Sequence, residues 1–174
     1  MIAWVTEWLR ANAQQYVKIC DPYFGPDQLW ILQAIPTDLD VKIISAGTRL
    51  GIEHRIDLGN KKPDREKQKR DREKVKSMLR QAWDDLSTQT PPSTLVVVHG
   101  AVYDSERGDE FHDRFITTVG AGLSLGTSLN GFGNKEFFIT ILTPEDVQYI
   151  DETYIDPKLE IGEIFSKVIY FELE

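Results

Sequence analysis

Tyr16-Val-Lys-Ile-Cys-Asp reads as a strand with Val17 and Ile19 on one side. It ends in Asp21-Pro22-Tyr23-Phe24-Gly25, a turn dense in residues with special backbone preferences. Gly25-Pro26-Asp27 then opens a helix, with Pro26 suited to its first position, running through Leu29, Trp30, Leu32 and Ile35 to a break at Pro36. Val41-Lys-Ile-Ile-Ser-Ala is the next strand, closed by Gly47. This β-α-β order with short connections restricts the fold most, because it implies a parallel pair joined by a right-handed crossover. Ligand crevices of open α/β sheets form at the carboxyl ends of strands, where Asp21 falls. Asp21 is therefore a candidate substrate-binding residue, with an Asx-turn or helix-entry role as the alternative.

The rest of the chain supplies flanking helices and further strands. Trp4, Val5, Trp8 and Leu9 make residues 2–14 an amphipathic helix. Thr48 to Pro63, with Arg49, His54, Arg55 and Asp57, reads as a loop. Residues 64–87 form a long helix whose apolar stripe, Val75 to Leu86, exists only in its second half. Thr94-Leu-Val-Val-Val-His is a continuous apolar strand of the kind buried on both faces. His99 at its end is a second candidate, either near the site or hydrogen-bonded structurally. Ser105–Asp109 is a charged turn, and Lys135 to Leu142 is a further strand. Thr143-Pro-Glu-Asp sets up a helix start, with Val147, Ile150 and Tyr154 as its apolar face. Val168 to Leu173 closes as a strand. The expectation is α/β: one domain over 1–174, with a mixed, mostly parallel sheet flanked by helices.

At 174 residues, 41% hydrophobic and 28% charged, the chain can bury a full core. No apolar run approaches the roughly 18 residues of a membrane span. The N-terminus lacks a signal-peptide pattern, and Cys20, the one cysteine, excludes an internal disulfide. A cytoplasmic location is expected. The net charge of −8 argues against a nucleic-acid partner, but its distribution is uneven. Residues 61–80 hold ten Lys or Arg against four acids, which leaves −14 on the remainder. That segment can steer a polyanion through residues such as Lys67 and Arg70, or simply be a solvated helix face with internal ion pairs.

Phe111 to Gly133 carries the chemistry. Phe111, Asp113 and Phe115 share one face of an extended chain, and His112, Arg114 and Ile116 the other. After a Gly120–Gly122 turn, Leu123, Leu125 and Leu129 share one parity and Ser124, Ser128 and Asn130 the other. A hairpin of this kind can place His112 and Arg114 beside Ser128 and Asn130. An imidazole, a fixed cation, a hydroxyl and an amide are the groups needed to hold and attack a phosphodiester. No cluster with metal-ligand spacing stands out, and no cofactor is expected.

His112-x-Arg114 followed by Gly126-Thr-Ser128-Leu-Asn130 resembles the motif of the phospholipase D superfamily: His-x-Lys, four residues, Asp, and later Gly-Ser-x-Asn. The likeness is specific over 111–133 and loose over Tyr16–Leu142. It implies that His112 is a nucleophile forming a phosphohistidine and that Arg114 replaces the phosphate-binding lysine. Ser128 and Asn130 would hold phosphate oxygens, and Glu136 would correspond to a downstream acid of some members. Val119 stands at the position of the motif's Asp, and Thr127 where a glycine precedes the serine. The tyrosyl-DNA phosphodiesterase branch also lacks that Asp. Phe-His-Asp-Arg is similar, too, to the phospholipase D-like domain attached to microtubule-interacting-and-trafficking modules, regarded as a lipid-binding dimer rather than an enzyme.

The superfamily site needs two motifs, and this chain has one, so a homodimer with two copies of His112 across a twofold axis is implied. The first expectation is a metal-independent phosphodiesterase, a nuclease whose 61–80 segment grips the backbone. The second is an inactive module binding phospholipid head groups or a protein partner. In a third, His112 and Arg114 merely pair with acids on a sheet.

Overall fold

The computed structural model describes residues 1–46, 50, 65–99, 112–132, 136–165 and 168–173. Its strands are β1 (Tyr16–Cys20), β2 (Asp40–Ser45), β3 (Thr94–His99), β4 (Phe115–Thr118), β5 (Ala121–Leu125), β6 (Ile139–Leu142) and β7 (Val168–Leu173). Its helices are α1 (Ile2–Asn12), α2 (Arg65–Leu86), α3 (Pro144–Ile150) and α4 (Asp156–Phe165). The strands form one sheet in the order β6-β5-β4-β1-β2-β3-β7, with β1 in the middle. The predicted crossover strands β1 and β2 are parallel neighbours, and β3 also runs parallel to β2. The other four pairings are antiparallel. The sheet is therefore mixed but mostly antiparallel, which corrects the expectation of a mostly parallel one. A parallel neighbour needs a crossover of a dozen or more residues, whereas β4 and β5 are joined by Val119–Gly120 alone. Gly120 takes the left-handed conformation, φ +66°, that this tight turn demands.

Alternation sorts the strands into two faces. Val17, Ile19, Val41, Ile43, Val96, Ile116 and Leu123 point to one side, covered by Val5, Trp8 and Leu9 of α1 and Val75, Leu79 and Trp83 of α2. Cys20 and Ile44 point to the other, against Ile155, Tyr154 and Leu159. The helix expected after Gly25 is a 3-10 helix over Pro26–Ala34, with the Gln28 side chain accepting the Gly25 N–H at 2.9 Å. Burial explains it. Gln28, Ile31 and Ala34 are buried, as are Leu29, Leu32 and Ile35, while Asp27 and Gln33 are exposed and Trp30 half-buried. A three-residue turn keeps those rows in register, where 3.6 residues per turn would rotate them out of the core.

Thr143 caps α3 as expected: its hydroxyl accepts the Asp146 N–H at 3.2 Å, and Asp146 accepts the Thr143 N–H at 3.2 Å. The helical path then runs further than the sequence suggested, through a π-helical turn at Asp151–Ile155 into α4. Pro157 has no N–H to give the turn before it, and a widened turn relieves its ring. The loop 48–63, apart from Leu50, and the turn 105–109 lie outside the described residues. Among the described residues no helix is long and apolar enough to cross a membrane.

Candidate functional site

The carboxyl ends of β1, β2 and β3 share one edge of the sheet; antiparallel β4 begins there and β5 ends there. Asp21 is wholly buried at that edge. Its carboxylate accepts the Tyr23 N–H at 2.9 Å and the Leu129 N–H at 2.7 Å, and the Ser128 hydroxyl sits 2.7 Å from each oxygen. The bond to Tyr23 makes an Asx turn. Asp21 N–H donates to Ile44 O at 3.0 Å and Ala46 N–H to Pro22 O at 3.0 Å, so the 21–25 turn is tied to β2 as well. With its oxygens taken by the protein's own donors, Asp21 is a clasp between two turns rather than a substrate-binding group. The hydroxyl proton of Ser128 is likewise directed at Asp21.

The expected hairpin is shorter than its alternation implied. His112, Asp113 and Arg114 form the lead-in to β4, and Leu125 N–H donates to Arg114 O at 2.9 Å, one residue beyond the strand pairing. The Cys20 thiol donates to Asp113 O at 3.5 Å, which fixes the lead-in across the end of β1. His112 is exposed and Arg114 half-buried. The guanidinium carbon of Arg114 lies 5.7 Å from the centroid of the Tyr23 ring. Its Nε is shielded from solvent and has no hydrogen-bond partner among the described residues. On the other arm β5 ends at Leu125, and a bend leads into a 3-10 turn at Leu129–Gly131. Ser128 and half-buried Asn130 therefore sit on a compact turn, not on an extended strand. A β-carbon on Gly131 would fall 2.5 Å from the Thr127 hydroxyl oxygen, so a larger residue there would force the Thr127 side chain to shift. Asp21, Tyr23, Arg114 and Ser128 are thus gathered at one edge, with His112 and Asn130 beside them in the chain.

The other expected residues are more dispersed. His99 ends β3 on the same edge, two strands from β1 and so roughly 10 Å away by its main chain; its side chain lies outside the described residues. Glu136 and Arg70 are exposed, and among the described residues no hydrogen bond or ion pair ties either to this edge; the Lys67 side chain is not described. Val119 lies in the turn at the far end of β4. The four residues of β4 separate it from Arg114, five steps of about 3.3 Å or roughly 16 Å. A side chain at 119 could not reach His112. Cys20 is no nucleophile at neutral pH: burial pushes its thiol up, only partly offset by the Lys158 charge.

A second polar cluster on the opposite face escaped sequence reading. Lys18, in the middle of the central strand, is 8% exposed. Its ammonium lies 3.0 Å from Asp151 Oδ2 and 2.7 Å from Asp156 Oδ1. The Tyr16 hydroxyl donates to Asp151 Oδ2 at 2.8 Å and the Thr117 hydroxyl to Asp151 Oδ1 at 2.7 Å. Burial, then the bond to Asp151, pushes the Tyr16 hydroxyl's pKa up. The cluster floors a cavity of about 390 Å³ walled by Val119, Pro144 and Val147. A lone lysine between two inward apolar residues was the available signal, but its partners lie more than 130 residues away. Among the described residues no three His, Cys, Asp or Glu side chains group so as to hold a metal ion. Compared with known proteins, the chain matches no family model, no curated protein and no solved structure.

Proposed function

We propose that the chain is a phosphodiesterase of the phospholipase D type, its mixed sheet forming one half of that fold, with His112 as the nucleophile. The observation that carries the reading is Arg114. Its guanidinium is half-buried, its Nε has no partner among the described residues, and an anionic oxygen meeting the exposed part of the group would pair its charge. The residue lies at the carboxyl edge of the sheet, two positions along the chain from exposed His112. A ring nitrogen of His112 attacks phosphorus and the bond to the leaving oxygen breaks. His112 of a second copy, as imidazolium, protonates that oxygen. Water then attacks the phosphohistidine, gives its proton to the second copy's imidazole and releases His112. Arg114 and Asn130 hold the phosphate oxygens, while Ser128, committed to Asp21, seats the turn that presents Asn130. The exposure of His112 is compatible with a twofold partner. Val119 costs this reading nothing, since its position is remote from the site.

The commitment of the Ser128 proton favours one other reading, a module that binds a phosphate-bearing head group without turnover. Hydrolysis of bis(p-nitrophenyl) phosphate in EDTA separates them. The proposal expects turnover by the wild type, none by His112→Ala, an acid-labile phosphoprotein on quenching, and a dimer by sedimentation. Absence of turnover together with binding to anionic vesicles would overturn it in favour of the module.

A further inference from the structure

We infer that Tyr23 is the specificity-determining residue of this site, and that the diester it takes is single-stranded nucleic acid, one base stacking on the Tyr23 ring while the adjoining phosphate meets Arg114. This rests on the phosphodiesterase reading and goes beyond it in naming the substrate class. Tyr23 keeps 39% of its surface exposed although both of its neighbours, Pro22 and Phe24, are buried. Its backbone is pinned by the bond from its N–H to Asp21, and the guanidinium carbon of Arg114 lies over its ring, 5.7 Å from the centroid. A partly exposed aromatic ring packed against a guanidinium, on a backbone tied to Asp21, has little conformational freedom left to lose on binding. A planar ring and a positive donor in contact with it are the pair of features that single-strand binders use for base and backbone. Duplex DNA hides its base faces by stacking. A phospholipid head group has no planar ring, so it would engage Arg114 and leave Tyr23 unused.

The test titrates the 174-residue chain with a ten-nucleotide oligothymidylate, its duplex with oligoadenylate, and dimethyl phosphate, a diester without a base. Tyr23→Ala should weaken oligothymidylate binding roughly 5- to 150-fold, Tyr23→Phe should retain it, and dimethyl phosphate should bind all three proteins alike. The duplex should bind wild type more weakly than the single strand. Unchanged oligothymidylate affinity in Tyr23→Ala, with dimethyl phosphate still bound, would overturn the role of Tyr23 and leave the phosphodiesterase reading standing. Failure of the wild type to bind either diester would overturn both. Preference for phosphatidylglycerol vesicles over the oligonucleotide would refute the substrate class alone.

Discussion

Replacing Lys18 with methionine should be among the most damaging single changes this protein can suffer. The ammonium sits in the central strand with its side chain 10% exposed, and Asp151 opposite is 7% exposed. Methionine fills a similar volume, so little cavity forms. What changes is the charge balance: Asp151 keeps the Tyr16 and Thr117 hydroxyls but loses its only cation among the described contacts, while Asp156, at 41% exposure, can turn to water. Leaving a buried carboxylate uncompensated costs about 3–5 kcal/mol. For a chain of this size that lowers the melting temperature by about 6–20 °C. Asp151→Asn should cost less, about 1–3 kcal/mol, because Lys18 retains Asp156. The Lys18→Met, Asp151→Leu double variant should recover at least half of the single loss, since an apolar pair replaces the desolvated ions. Urea unfolding of the wild type, Lys18→Met, Asp151→Leu and their double variant supplies the cycle, with Asp151→Asn measured beside it. A loss below about 1 kcal/mol for Lys18→Met would mean that the pair behaves like a surface bridge, and the reasoning would fall.

Stability should also respond to alkali and to the clasp. The Cys20 thiol is pushed up from its ordinary 9.0 by burial. Below pH 9 both folded and unfolded chains carry that proton; above it only the unfolded chain releases it, so stability falls by about 1.4 kcal/mol per pH unit. Urea midpoints measured from pH 8 to 11 should show that decline, reduced in slope in Cys20→Ala; an identical slope in the variant would refute the assignment. Asp21→Ala strands the Ser128 hydroxyl and the Tyr23 and Leu129 amides, at about 3 kcal/mol or more, whereas Ser128→Ala leaves two donors on Asp21 and should cost about 1–2 kcal/mol. Amide exchange at 127–131 should rise in Asp21→Ala, and equal effects of the two variants would refute the clasp.

The local pattern of the sequence carried the β-α-β start, the amphipathic α1 and α2, the capping box of α3 and the closing strand, because each rests on periodicities of two or 3.6 and on cap chemistry within a few residues. It also marked 111–133 and the 21–25 turn as separate places of interest. It did not show that the two are one place. Asp21 joins Ser128 across 107 residues, and no local pattern reports a bond of that span. Lys18 and Asp151 were invisible as a pair for the same reason. The direction of most strand neighbours, the 3-10 winding of Pro26–Ala34 and the bend that ends β5 at Leu125 were likewise settled by packing, which acts on whole faces of the sheet. Tertiary structure alone set Arg114 against Tyr23 and left its Nε without a partner among the described residues, because shielding from water depends on what the rest of the chain places around a group.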